Sequence, residues 1–239
     1  MNLEKFKLDA RMPKHIAFII DGNGRWAKKR GFSRSFGHKI GFNNLKKQIE
    51  MVESLGIKNC SIYCFSKENW NRPETEVRYL MELFDTMLDE YKQKYQDKNV
   101  RIIISGDMED ERIPASVRQK AKDIMELTKN KDGFVINPCI NYGGRQEILN
   151  AVNNIIKNGD TEIDEEKFNS YLYTVDLLPV DLIIRTSGEF RTSNFFPWQS
   201  TYSEWYFPKT PWPAFSKKDL IKALKNFMKR NRRFGAIKG

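Results

Sequence analysis

Five short apolar runs punctuate the chain: His15 to Ile20, Cys60 to Phe65, Val100 to Ser105, Phe134 to Ile140 and Asp181 to Arg185. Each is too short for a packed helix and rich in the residue types that fill a buried strand. Pro138 makes the fourth run irregular, because proline removes a ladder donor. Between the runs the period changes. Leu45, Ile49 and Val52 recur at helical spacing, and so do Val77, Leu80, Met81, Phe84, Leu88 and Tyr91 after a start at Pro73. Further helices are predicted from Gly144 to Lys157 and, strongly basic, from Lys217 to about Arg230. Strands alternating with helices predict an α/β fold with a mostly parallel sheet and crossover helices. With no linker or repeat in sight, one domain is expected over 1–239, with a flexible N-terminus over about 1–13.

In open parallel sheets ligands bind beyond the carboxyl ends of the strands, so the residues leaving each strand carry the information. They are Asp21-Gly22-Asn23-Gly24-Arg25-Trp26, then Ser66-Lys67-Glu68-Asn69-Trp70, Gly106-Asp107, Asn141-Tyr142-Gly143-Gly144-Arg145 and Thr186-Ser187-Gly188-Glu189. Gly22 and Gly24 let the main chain turn tightly and present N–H groups at a helix start, which suits a phosphate. Arg25, Lys28, Lys29, Arg30, Arg34 and His38 follow closely. A carboxylate at Asp21 would repel a phosphate unless a divalent cation bridges them. Magnesium fits, since it takes one or two carboxylates and completes its shell with water and phosphate oxygens. The plainer alternative for a strand-end Asp is a helix cap.

Two nucleotide motifs fail on inspection. Gly22 to Ala27 satisfies G-x-G-x-x-A, but Arg25 and Trp26 are bulky where a dinucleotide packs, and Asp21 would face its pyrophosphate. Gly31 and Gly37 enclose five residues, and His38-Lys39 stands where a P-loop needs Lys then Ser or Thr.

Charge sharpens the anion reading without choosing among anions. Lys and Arg number 41 against 31 Asp and Glu, a net charge of +10 that suits phosphates, nucleic acid or anionic lipid. Cys60, Cys64 and Cys139 have neither CxxC spacing nor matching histidines, so they read as reduced core residues. The charged N-terminal segment lacks a signal-peptide apolar stretch and no run of about eighteen apolar residues occurs. A cytoplasmic protein is expected.

The strand exits together resemble the cis-prenyltransferase family, its bacterial members most closely. The resemblance runs from about His15 to Gly235 through HIAFIIDGNGRWAKKRG, FGHKIG, FSKENWNRP, NYGGRQEI, DLIIRTSGEFRTSNFFPWQ, SEWYF and RRFG. It implies a homodimer of parallel-sheet domains, each with a hydrophobic tunnel, that joins isopentenyl diphosphate to an allylic diphosphate with magnesium. Trans-elongating synthases use DDxxD carboxylates, and this chain has no such pentapeptide.

By this resemblance Asp21 is the catalytic, metal-binding aspartate and Glu204 a second magnesium ligand. Gly22, Asn23, Gly24, Arg25, Arg34 and His38 are placed at the allylic diphosphate. Arg185, Arg191 and Ser193 form the isopentenyl cradle, and Trp26 and Thr192 are further substrate-binding residues. Ser66, Lys67, Glu68, Asn69, Trp70 and Arg72 belong to a loop that closes over substrate. Asn69 matches a position assigned as proton acceptor, although a neutral amide suits orientation or relay better. Arg233 lies in a tail, about 231–239, that reaches toward the dimer partner, and the Val77 to Tyr91 helix lines the tunnel, with Phe134 near its floor. Ser187, where glycine is common, and Phe190 depart from the pattern.

A basic face binding RNA, with Trp26 and Trp70 stacking on bases, is the rival class. It leaves Asp21 and Glu204 unexplained, so no nucleic acid partner is expected. A noncatalytic subunit of the same fold would lack the aspartate and arginines. Lys217 to Arg233 is a candidate face for peripheral contact with anionic membrane.

Overall fold

The computed structural model describes residues 9–232. Its strands are β1 (His15–Ile19), β2 (Asn59–Ser66), β3 (Val100–Ile102), β4 (Phe134–Tyr142), β5 (Leu182–Arg185) and β6 (Glu204–Tyr206). They form a six-stranded sheet in the order β3-β4-β2-β1-β5-β6. The pairs β1 with β5, β5 with β6, and β3 with β4 are parallel, as the alternation of runs and helices requires. The helices are α1 (Asn23–Lys28), α2 (Arg34–Ser54), α3 (Glu74–Tyr95), α4 (Ala115–Thr128), α5 (Gly144–Asn158), α6 (Glu165–Asn169) and α7 (Lys217–Met228). Two compact units divide these elements: 9–60, 178–190 and 199–232 form one, and Ser61–Leu177 with Arg191–Trp198 the other.

In the first unit every residue of β1 is buried. Phe18 meets Trp212 and Phe215 at ring-centroid distances of 5.5 and 6.3 Å. Trp212 Nε1 donates to the Gly41 carbonyl at 2.8 Å, and Asn44 Nδ2 donates to the Trp212 and Phe215 carbonyls. These bonds satisfy the buried polar groups that bring α2 against the turn at Trp212–Ala214. A Cβ at Gly37 would fall 2.2 Å from the Asn23 carbonyl oxygen, so glycine there lets α1 and α2 approach. Ser33 caps α2 by accepting from the Phe36 amide, and Ser216 with Asp219 closes a capping box on α7. The last helix stops at Met228, two residues short of the expected Arg230.

In the second unit α3 buries Val77, Leu80, Met81, Phe84, Leu88 and Tyr91, the stripe read from the sequence, together with Met87 and Tyr95. The third run holds strand geometry only to Ile102, then touches β4 again through a bridge between Ser105 and Cys139. The gap has a single cause. Ile103 N donates to Ile136 O and Ser105 N to Pro138 O, so the bond missing between them is the one a 138 N–H would make to Ile103 O. Asn137 Nδ2 donates to that carbonyl instead, at 2.8 Å, and also reaches Ser105 Oγ. Helix α4 and strand β6 were not anticipated. The α4 stripe relies on small Ala121 between Val117 and Ile124, and β6 is three residues long.

None of the three cysteines forms a disulfide; Cys60 and Cys139 are buried, and burial pushes the Cys64 thiol up to about 12, which makes it inert. Among the described residues no helix is long and apolar enough to cross a membrane.

Candidate active site

The first unit builds an acidic centre clamped by arginines. Register pairs Ile19 of β1 with Arg185, the last residue of β5, so the chain leaving β1 at Asp21 stays within reach of that side chain. Arg185 Nη2 donates to Asp21 Oδ2 at 3.0 Å. Arg25, one helical turn on from Asp21, donates from Nη2 to Oδ1 at 3.2 Å and from Nη1 to Glu189 Oε1 at 2.5 Å. Arg185 is 4% exposed at its side chain, Asp21 27% and Arg25 53%, so the carboxylate joins a buried cation to a wet one. Burial pushes the Asp21 carboxyl up, but the guanidinium groups of Arg185 and then Arg25 outweigh it, and its pKa lies below the ordinary value. Asp21 is therefore charged at neutral pH. Its backbone is fixed as well, since its carbonyl accepts from Thr186 Oγ1 at 2.7 Å and Trp212 N at 3.0 Å.

Gly22 follows with φ 101, in the left-handed region, and a Cβ there would fall 2.6 Å from Ser187 Oγ and 2.8 Å from Pro211 Cβ. Glycine is needed for both reasons. Ser187 itself has φ 76, which explains why glycine is the easier residue at that position. Gly24 is needed for another reason, because a Cβ would meet the Arg34 guanidinium carbon at 2.9 Å and its absence admits Arg34 beside the turn. Asn23 Nδ2 donates to Ile20 O at 3.0 Å, and His38 lies half-buried one turn along α2 from Arg34. The half-buried Trp26 ring is covered by Arg30, 4.5 Å from its centroid.

The second unit gathers the segment after β2. Lys67–Asn71 form a 3₁₀ turn closed by a capping box, in which Ser66 N donates to Asn69 Oδ1 at 3.2 Å and the Ser66 side chain accepts from the Asn69 amide. The Asn69 side-chain oxygen thus accepts one hydrogen bond within its own turn. Lys67 Nζ pairs with Asp107 Oδ2 at 3.1 Å and Arg72 with the buried Glu76 at 3.1 Å. Trp70 Nε1 donates to Asn141 Oδ1 at 2.8 Å; its ring lies edge-on to Phe65 and under Arg112, 4.7 Å away. Arg112 grips Asp110 with two bonds, and Asp110 accepts in turn from Asn141 Nδ2 at 3.2 Å. A closed circuit therefore holds Trp70.

The Arg191–Trp198 segment belongs to the same unit. Arg191, Thr192 and Ser193 are exposed, while Phe195 and Phe196 are buried and stacked at 4.1 Å, with Tyr63 on Phe195 at 4.5 Å. Ser193, Asn194 and Phe196 all have positive φ. Such strain persists only where neighbours over-determine it. Here Tyr63 donates to the Ser193 carbonyl, Asn194 caps α5 through Arg145 N and Gly144 N, and Asn194 Nδ2 donates to Glu68 Oε1 at 3.0 Å.

Glu204 stands apart from Asp21 in the sheet. Register sets it opposite Leu182, three residues before Arg185, so it lies at the amino ends of the strands, roughly 10 Å along the sheet from the Arg185 level at 3.3 Å per residue. Its carboxylate is paired with Arg230. Within one chain Asp21 and Glu204 do not form a joint metal site. Arg233 lies outside the described residues. Asp107, Asp110, Arg112, Asn141, Glu189 and Asn194 were not assigned roles from sequence. Three stood at strand exits, but Asp110 and Arg112 sit in a charged loop with nothing to single them out.

A parallel α/β sheet here carries, beyond its strand ends, an ionised carboxylate clamped by two arginines. The chain matches the family model for undecaprenyl diphosphate synthase over residues 19–235. The isoprenyl transferase of Fusobacterium nucleatum is 45% identical over 231 residues, 97% of this chain and 99% of that one, and the isoprenyl transferase of Thermotoga maritima is 46% identical over 95% and 98%. Lavandulyl diphosphate synthase from Lavandula x intermedia, solved with dimethylallyl diphosphate, superposes with a TM-score of 0.87 at 34% identity, covering 95% of this chain and all of that one. The probable undecaprenyl diphosphate synthase of Campylobacter jejuni gives 0.78 at 35%, covering 94% and 99%. The chain belongs to the undecaprenyl diphosphate synthase family of isoprenyl transferases and is a prenyltransferase, with cis-prenyl chain elongation as its class of reaction.

Proposed function

We propose that this enzyme condenses isopentenyl diphosphate with an allylic diphosphate, farnesyl diphosphate first, in the presence of Mg²⁺. The product is a long polyprenyl diphosphate, undecaprenyl diphosphate, made in the cytoplasm for a cell-wall lipid carrier. The observation that carries this reading is the Asp21 carboxylate held between Arg185 and Arg25 at the turn made by Gly22.

The donor set suits magnesium shared with substrate. Asp21 offers one partly exposed carboxylate, and the described residues hold no cluster of three or more acidic, histidine or cysteine ligands that would make a protein-only cage. Asp21 would hold the ion, which would supply charge neutralisation to the departing pyrophosphate. Gly22, Asn23, Gly24, Arg25, Trp26, Arg34 and His38 receive the allylic diphosphate, and Arg185, Arg191, Thr192 and Ser193 the isopentenyl diphosphate. A buried cation such as Arg185 acts through a low local dielectric, so it holds an anion more strongly than an exposed lysine does. The allylic carbon–oxygen bond breaks with its electron pair leaving on pyrophosphate. The isopentenyl double bond attacks that carbon, and the proton lost passes to water or diphosphate oriented by Asn69. Ser66, Lys67, Glu68, Trp70 and Arg72 shape the segment that covers the reactants.

A homodimer accounts for Glu204, which then serves the partner's Asp21 centre, as does Arg233. The exposed residues Leu149, Val152 and Ile156, spaced along one face of α5, support an interface of this kind. The test is incubation with farnesyl diphosphate, labelled isopentenyl diphosphate and magnesium, followed by chromatography. Label should enter a ladder ending in a long lipid product. A ladder that stops early would make this a shorter-chain synthase, and undiminished incorporation in chelator would overturn the magnesium reading.

A further inference from the structure

The corner joining α1 to α2 carries features that the proposed substrate site leaves unused. From Gly22 to Ile49 the chain holds eight Lys or Arg and no Asp or Glu. Some of that charge belongs to Arg25 and Arg34, but Lys28, Lys29, Arg30 and Lys39 are exposed around the corner itself. Between them stand Phe32 and Phe36, 49% and 36% exposed, with ring centroids 4.5 Å apart. Gly31 turns the chain at φ 75 with open space where a Cβ would project, and Phe32 N donates to Ala27 O at 3.0 Å to close the corner. The result is an apolar knob on a tight turn, in a stretch of chain that carries exposed cations and no carboxylate.

We propose that this corner docks on an anionic lipid surface. Phe32 and Phe36 enter the interfacial layer while Lys28, Lys29, Arg30 and Lys39 lie at the level of the headgroups. The rings favour lipid over RNA because they pack against one another and present one shared apolar surface, not separate faces on which successive bases stack. Arg34, which reaches α1 at Gly24, lies between the two rings in sequence, so docking sets the proposed allylic diphosphate site beside the bilayer. The inference extends the proposed reaction and does not depend on it.

Vesicle flotation of the full chain tests it without substrate. The wild type should float with phosphatidylcholine vesicles containing about one-third phosphatidylglycerol, not with phosphatidylcholine alone, and should be released at about 0.5 M salt. The pair Phe32→Ser and Phe36→Ser should cut the bound fraction roughly fivefold or more with the melting temperature unchanged, and the pair Lys28→Glu and Lys29→Glu should do the same. Lys217→Glu with Lys218→Glu on α7 should leave binding intact. Equal flotation of the phenylalanine variant, or loss through the α7 variant alone, would overturn the proposal. So would a phenylalanine variant that keeps its vesicle binding but loses a single-stranded RNA oligonucleotide, or that turns a sedimenting dimer into a monomer.

Discussion

At the scale of single residues, conformation and charge carry separate demands. Gly22 was legible because a left-handed turn after a strand calls for glycine, and Asp21 stood out because a carboxylate beside a turn suited to phosphate would repel that anion without a bridging cation. Gly24 was legible as a glycine but not for its reason, since the neighbour it admits, Arg34, arrives from the next helix. Nothing in the sequence marked His15, which begins β1 fully buried and offers Nδ1 to the Leu178 carbonyl at 2.6 Å. Burial lowers its pKa to about 4, against weaker opposing effects of that bond and of Asp181. Below about pH 6.5 the unfolded chain therefore binds a proton that the folded chain refuses, so stability falls as the pH drops from 6.5 toward 4, by roughly 3 kcal/mol at most. Thermal melts of His15→Gln, which cannot titrate, should show a flatter loss over that window than the wild type. Identical slopes would remove His15 as the cause.

At the scale of elements, periodicity located the long helices and most strands because each buries one continuous face. It failed where burial is shared or brief: α4 hides a small-residue stripe among charges, and β6 makes only three residues of pairing. The Pro138 irregularity was visible, yet its repair by Asn137 was not, because side-chain substitution for a ladder donor leaves no periodic trace. The circuit around Trp70 is of the same kind. If Trp70, Asn141, Asp110 and Arg112 work as one unit, Trp70→Phe and Arg112→Leu should each speed amide exchange over 67–72, and the double variant should add little. Arg112 is half exposed, so the coupling should be about 0.5–1 kcal/mol. Strict additivity, or exchange that spreads evenly to α5, would mean that the ring contact does not position this segment.

At the scale of the whole molecule, the register of β1, β5 and β6 sets Asp21 and Glu204 at opposite strand ends, a fact that no motif could reveal because both residues fit their motifs. If Glu204 serves the partner's centre, mixing inactive Asp21→Ala and Glu204→Ala chains under subunit exchange should restore activity. Each mixed dimer then has one intact site, and about a quarter of all sites recover on random pairing. No recovery with exchange verified would confine Glu204 to its own subunit. The proposed reaction depends on Asp21 being the centre at which diphosphate is held and released. The direct measurement is the initial rate of labelled isopentenyl diphosphate incorporation onto farnesyl diphosphate by Asp21→Asn and Asp21→Ala, at saturating magnesium and beside a thermal melt. Turnover should fall by roughly 10² or more with the fold intact, the loss expected for a key charge-stabilising group. Folded variants that retain turnover within a few fold of the wild type would contradict it, leaving Asp21 as a partner for Arg185 and nothing more.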